Sequence, residues 1–127
     1  MTDLRTQGLA AFRDMLPGLI PDDMTSTRAG GFADELGDLA VEHVFGALWT
    51  RPGLDRRSRS LVTLGVLIAL RANDELKFHF PIALRNGLTS EEIEEVIYHV
   101  AGYAGYPAAT TARNIASAVL RPTTSDE

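Results

Sequence analysis

The chain contains no cysteine, and this absence removes several kinds of chemistry at once. Without thiols there is no disulfide, no thiolate metal site, no cysteine nucleophile and no redox relay between paired cysteines. Aromatic residues make up only 7% of the 127 residues, and the alternation of apolar and polar residues that marks β-strands is nearly missing. These absences leave a helical protein that works without thiol chemistry.

Basic charge and long apolar runs are also scarce. The net charge of −5 argues against nucleic acid as a partner, because phosphate binding requires a basic surface. The apolar run over residues 61–70 is too short to span a bilayer, so no membrane partner is expected. The first twelve residues contain an acid and lack the apolar core of a signal peptide. We therefore expect a cytoplasmic protein.

Turn and capping signals divide the chain into six predicted helices. The first covers residues 3–16 and is followed by a turn-rich connector over residues 19–31. The second runs from about residue 32 to residue 50. Its apolar residues have the spacing of one helical face, which predicts the buried face: Phe32, Leu36, Leu39, Ala40, Val44, Ala47 and Leu48.

The other four helices are predicted to form the centre of the protein. The third, residues 55–72, is apolar on every side in its middle and should be buried. The fourth is capped by Asn73, contains Pro81 and ends at Asn86-Gly87. A capping box at residues 89–92 starts the fifth, and the sixth runs from Pro107 to about residue 120. The tail 121–127 is expected to fray.

The predicted fold is therefore all-α, with about six helices around a buried central helix. A chain of this length forms one domain with its own core. We expect a single domain over residues 1–127, in which residues 32–120 form the core and residues 1–31 supply the N-terminal helix and connector.

Four arginines cluster around the Pro-Gly turn that precedes the third helix: Arg51, Arg56, Arg57 and Arg59. A guanidinium stays charged and presents a planar set of donors that matches a carboxylate. Such a cluster in an acidic chain needs an anion nearby, either the protein's own Asp and Glu side chains or a ligand. Both interpretations remain open for each arginine.

The segments FGALWTRPGLDRRSRSLVTL, ALRNGLTSEEIEEV and AGYAGYPAA, with His79 between the first two, resemble the carboxymuconolactone decarboxylase family. The resemblance is closest to its thiol-free decarboxylase branch. It implies a subunit built on a helical hairpin, assembled into trimers or hexamers. It also implies loss of carbon dioxide from a small carboxylated lactone, of the 4-carboxymuconolactone type, in the β-ketoadipate pathway of aromatic catabolism. No metal or organic cofactor is implied.

A sister branch of the family reduces peroxides and disulfides through a Cys-x-x-Cys-x-x-x-His motif. His79 stands at the histidine position, but Ala72 and Glu75 stand at the cysteine positions and Ser60 at that of a helical glutamate. Thiolates are the nucleophiles of that chemistry, so thiol peroxidase and disulfide reductase activity are excluded. The chain also departs from the decarboxylase pattern, with Ala47 replacing a usual glutamate and Thr110 a usual asparagine.

Lactone decarboxylation requires cations for the substrate carboxylates, donors for the developing oxyanion, and a group that returns a proton to carbon. Arg51 is expected to hold a carboxylate from a turn fixed by Pro52, or otherwise to cap the second helix. His79 is the expected proton carrier, oriented by Glu75 one helical turn before it, or otherwise a structural histidine.

The remaining candidates are expected to line the substrate pocket: Arg57, Arg59, His43, Trp49 and Tyr106. Ion pairs for the arginines and core packing for the aromatic residues are the alternatives. His99 repeats the Glu-His spacing, but we expect it on a solvated face. The three histidines are not spaced as metal ligands, so no metal site is expected.

Two other functions stay open. One is a related lactone, enol or keto-acid enzyme with a pocket altered by Ala47 and Thr110. The other is a non-catalytic, ligand-binding helical oligomer. Self-association is expected in every case, because a small chain with a fully apolar helix gains by sharing its core with a neighbour.

Overall fold

A computed structural model describes residues 3–120, and these residues form helices and turns without any strand. The helices are α1 (Leu4–Met15), α2 (Leu36–Ala40), which continues as a π-helical segment (Val41–Leu48), α3 (Arg56–Leu70), α4 (Asn73–Arg85), α5 (Ser90–Ala104) and α6 (Tyr106–Val119). The predicted all-α fold with six helices is confirmed. The tail expected to fray, residues 121–127, lies outside the described residues.

The chain divides at Asp55 into two compact units. The first contains α1, the connector, α2 and the π-helical segment, and the second contains α3 to α6. The single domain expected over residues 1–127 stays a prediction.

In the first unit, two glycines let α1 pack directly on the π-helical segment. A Cβ atom added to Gly8 would lie 2.1 Å from the carbonyl oxygen of Val41, and one added to Gly46 would lie 2.3 Å from that of Leu4. Real Cβ atoms do not approach backbone that closely, so only glycine fits at either position. The two backbones are therefore in contact at this crossing.

The buried face of the second helix is not the predicted one. Val41, Phe45 and Trp49 are buried, whereas the predicted stripe is largely exposed at Phe32, Leu36, Leu39, Val44 and Leu48. Helix α2 also begins at Leu36 and not near residue 32. Two physical reasons account for the difference. The segment widens to a π-helix, in which the Trp49 N–H donates to the Val44 carbonyl (2.9 Å), and α1 approaches the face that carries the glycine.

The connector is held in place by a buried carboxylate. Asp38, whose side chain is 3% exposed, accepts hydrogen bonds from the Ser26 hydroxyl (2.6 Å) and the Thr27 backbone N–H (2.7 Å). Arg5 and Arg28 lie 3.6 Å and 3.4 Å from it. These hydrogen bonds, and after them the charge of Arg5, lower the pKa of Asp38 to about 2. The segment predicted as a plain connector is thus fixed to α2.

In the second unit, α3 is the central helix and packs against α4, α5 and α6. It forms a helical hairpin with α4 through a two-residue connection. The best-buried core side chains are Leu64 and Ile68 of α3, Leu76 and Phe80 of α4, and Ile93 of α5. On α3, however, only this face is buried. Val62, Val66 and Leu70 are exposed, and the first two border the depression between α3 and α5 that is described below.

Local capping signals behave as predicted, with one exception. Thr89 and Glu92 form the capping box of α5, and α4 ends in a left-handed Gly87 at φ 106°. Pro107 occupies the first turn of α6. The predicted cap at Asn73 is wrong: Asn73 is the first residue of α4, and Ala72 precedes it without any side-chain cap. Ala72 follows Arg71, whose φ of 56° turns the chain between the two helices.

None of the helices within residues 3–120 has the length and apolar character needed to cross a membrane.

Candidate active site

Three predicted site residues belong to the first unit. Trp49 is only 6% exposed and stacks on Phe45, with ring centroids 6.2 Å apart and planes within 8°. His43 is exposed on the π-helical segment, and Arg51 is exposed in the turn that follows it. Trp49 is therefore packed among buried residues of the first unit, whereas His43 and Arg51 are exposed residues.

Helices α3 and α5 form the walls of an open groove of about 690 Å³ that we call the α3–α5 groove. Its walls are apolar, formed by residues such as Leu61, Val66, Val96 and Val100. Gly65 lies in the floor and has no heavy atom closer than 4.0 Å to an added Cβ, so the groove has room there.

Arg57 lies at the end of the α3–α5 groove and pairs with Glu92 across the two helices. The two oxygens of Glu92 have separate partners: Oε1 accepts from the Thr89 backbone N–H (3.0 Å) and Oε2 from Arg57. Both side chains are more than 40% exposed, so the pair contributes at most about 1 kcal/mol. Arg57 thus forms the ion pair that the sequence left open as an alternative. The pair is weak enough for a ligand carboxylate to take the place of Glu92.

Two exposed titratable residues of α5 also border the α3–α5 groove, one of which, His99, was expected on a solvated face. Glu95 and His99 both line it, and the His99 ring lies 5.2 Å from that of Tyr103. The signal that could have found them is their spacing from Glu92, since residues 92, 95, 96 and 99 share one face of α5. Two carboxylates and one guanidinium give the groove a negative balance when the imidazole is neutral.

His79 is half-buried on α4 and lines neither the α3–α5 groove nor the α5–α6 pocket described below. Burial lowers the pKa of His79 below its ordinary value, and the negative charge of Glu75 opposes this effect. The imidazole is therefore mostly neutral at pH 7.

Arg59 is half-buried on α3, next to Ser60, which is 1% exposed. The Ser60 hydroxyl accepts a hydrogen bond from the Asn86 side-chain amide (3.0 Å). The serine that stands at the position of a family glutamate therefore joins the first turn of α3 to the end of α4.

A second, smaller depression lies between α5 and α6, with a volume of about 250 Å³, and we call it the α5–α6 pocket. Tyr106, Thr110 and Arg113 of α6 line it together with Tyr98 and apolar residues. Tyr106 is the only predicted site residue in this pocket, and sequence reasoning missed Arg113 and Tyr98. The helical spacing 106, 110 and 113 is the signal that relates Arg113 to Tyr106.

Within residues 3–120, no group of three or more His, Asp or Glu side chains is positioned to hold a metal ion.

Comparison with known proteins places these residues in a recognised sequence family. The profile of the carboxymuconolactone decarboxylase family matches residues 34–118. The chain is 40% identical over 90 residues to 4-carboxymuconolactone decarboxylase of Acinetobacter baylyi, an alignment covering 71% of this chain and 67% of the relative. It is 47% identical over 70 residues to nitrosuccinic acid decarboxylase npaB of Metarhizium robertsii, covering 55% of this chain and 49% of the relative.

Proposed function

The chain belongs to the carboxymuconolactone decarboxylase family, and we propose that it is a cofactor-independent decarboxylase of a small carboxylated lactone of the 4-carboxymuconolactone type. The observation that carries the proposal is that both relatives just described are named as decarboxylases of small carboxylic acids. A place in aromatic catabolism and a cytoplasmic location belong to the same proposal.

The two named substrates share an electronic feature that explains how one scaffold could serve both. In the lactone, the bond to the leaving carboxylate breaks and its electron pair moves through the double bond onto the lactone carbonyl oxygen. In a nitro acid, the equivalent pair moves onto the nitro group beside the carboxylate. Carbon dioxide leaves, and a proton then adds to carbon. The protein has to bind the acid, stabilise the anion and supply that proton.

In this proposal His79 returns the proton. Its burial keeps it neutral until an anionic substrate approaches, and the negative charge of the substrate then raises its pKa. A buried imidazole that becomes protonated only beside the substrate is suited to deliver the proton at the correct stage.

Arginine side chains hold the carboxylates in the same proposal. Arg51 is the first choice because it is exposed in a turn, and Arg59 or Arg57 supplies the second cation. Arg57 would have to exchange Glu92 for the substrate, which costs little because the pair is exposed. Trp49, Tyr106 and His43 remain the proposed wall residues.

The experiment is to add the purified protein separately to 4-carboxymuconolactone and to nitrosuccinate. We expect loss of the conjugated lactone absorbance together with release of carbon dioxide. Turnover of nitrosuccinate alone would favour the related enzyme with an altered pocket. Thermal stabilisation by the lactone without turnover would favour a binding protein. The absence of both turnover and thermal stabilisation would contradict the proposed substrate class.

We also propose that the protein is a homo-oligomer, a trimer or hexamer as the family resemblance implies. Support comes from two apolar surfaces that a single chain leaves exposed, one at Leu36 and Leu48 and the other at Val62 and Val66. Sedimentation velocity at micromolar concentration is expected to give a multiple of the monomer mass. The double change Val62→Lys with Val66→Lys is expected to reduce it, and a monomeric wild-type protein would refute this proposal.

A further inference from the structure

Charge separates the α3–α5 groove from the α5–α6 pocket as sites for an acid. The α3–α5 groove is larger, but Glu92 and Glu95 outnumber Arg57 in it, and a ligand carboxylate would have to compete with Glu92 for Arg57. The α5–α6 pocket has the opposite sign, because Arg113 carries the only formal charge among the described residues that line it. The smaller pocket is therefore the better place for a carboxylate.

Arg113 has donors to spare in this pocket. Its Nε and Nη2 atoms donate to the Oδ1 atom of Asn114 (3.3 Å and 3.1 Å), which is a neutral acceptor. No carboxylate within residues 3–120 forms an ion pair with it. A guanidinium has five N–H groups, so those not directed at Asn114 can bind a ligand carboxylate. Glu94 borders the neighbouring depression that Arg113 also lines, and its charge weakens anion binding there.

The rest of the α5–α6 pocket suits the body of a small acid. Ala101 and Ala109 contribute apolar floor, and both are less than 10% exposed. Tyr98, Tyr106 and Thr110 surround this floor with hydroxyl-bearing side chains, which can donate to carbonyl or carboxylate oxygens. The volume of about 250 Å³ is below the roughly 300–1,000 Å³ of sites for drug-sized molecules, which agrees with a smaller ligand.

We propose that the α5–α6 pocket binds a small carboxylic acid, with Arg113 holding a carboxylate and Thr110 and Tyr106 donating to the remaining oxygens. This inference does not rest on the proposed function: His79, the proposed proton carrier, does not line this pocket, so the acid bound here is a ligand at a separate site and not the acid that is decarboxylated. Thr110, which replaces the usual family asparagine, then helps to set which acid fits.

The test is an NMR titration of the full chain with succinate, followed through the backbone amide signals of α5 and α6. We expect saturable shifts at these helices with the wild-type protein and none with succinamide, the neutral analogue. Arg113→Gln should weaken binding at least tenfold, and Arg113→Lys less, because lysine keeps the charge without the planar set of donors. Glu94→Gln should strengthen binding by removing the nearby negative charge.

Arg71→Gln is the matched control, because it removes an exposed arginine at the end of α3, outside the pocket. It should bind succinate as the wild-type protein does. Binding unchanged by Arg113→Gln, shifts confined to other helices, or no binding by the wild-type protein would each overturn the proposal. Turnover with an unchanged KM is expected to persist in Arg113→Gln, because the proposed decarboxylation uses other cations. A raised KM would mean that the acid held here is the substrate, and would overturn the separation of the two sites.

Discussion

Replacing His79 by asparagine is expected to lower decarboxylation turnover by more than tenfold while the helical circular dichroism stays unchanged. Asparagine is close to histidine in size and polarity, so the half-buried position stays filled. It cannot carry a proton, and a positioned acid–base group typically contributes about 10²–10⁴-fold to a rate. The measurement is kcat for the substrate that the wild-type protein turns over.

His99→Asn distinguishes this role from the alternative in the α3–α5 groove. It makes the same chemical change in the other histidine that lies in the second unit, on α5. A smaller loss than in His79→Asn supports His79 as the proton carrier. An equal or larger loss would transfer the role to the groove, and full activity in His79→Asn would remove His79 from the mechanism.

The pH dependence of the protein's stability should also report on His79, and this measurement needs no substrate turnover. The folded-state pKa of His79 lies below the ordinary value of 6.5, so between these two values the unfolded chain binds more protons than the folded one. Its contribution to stability is therefore fully present above pH 6.5 and is lost as the pH falls toward the folded-state pKa. Thermal unfolding from pH 8 to pH 5 should show a smaller decrease in His79→Asn than in the wild-type protein.

Gly8→Ala or Gly46→Ala is expected to lower the free energy of unfolding of the first unit by about 3 kcal/mol. This is the upper end of the usual cost of overpacking, because the atoms that each new methyl group meets are backbone and cannot rotate away. Alanine in a helix otherwise stabilises by about 1 kcal/mol relative to glycine, so the clash has to outweigh that gain. Urea unfolding followed by circular dichroism measures the change.

Gly102→Ala is the matched control on α5. An added Cβ there meets no heavy atom within 4 Å, so the variant should be as stable as the wild-type protein or slightly more stable. If Gly8→Ala proved equally stable, α1 would be free to shift on the π-helical segment, and the close backbone contact would not be what holds the unit together.

Sequence signals were most reliable where a structure is decided locally. The capping box at Thr89 and Glu92 and the left-handed Gly87 each depend on residues a few positions apart, and both were predicted. The buried face of the second helix was not, because the face is chosen by the approach of α1. That approach is permitted by Gly8 and Gly46, whose lack of a side chain gives no hydrophobic signal.

The candidate site likewise has features that the sequence could predict and features that depend on packing. The sequence identified Arg57 and His79 as functional candidates from residue type, spacing and family resemblance. It could not foresee that Glu92 pairs with Arg57, because residues 35 positions apart meet only after α3 and α5 pack. Nor could it single out Arg113, because the ability of Arg113 to bind an anion depends on which carboxylates the fold places near it.

By itself, therefore, the sequence determined the all-α class, the ends of most helices, the absence of thiol chemistry and the family. These follow from residue type and from interactions within one or two helical turns. Only the tertiary structure decided which apolar faces are covered, which arginine is neutralised by a carboxylate, and which depression carries positive charge. Those outcomes depend on contacts between distant residues, whose energies no local pattern contains.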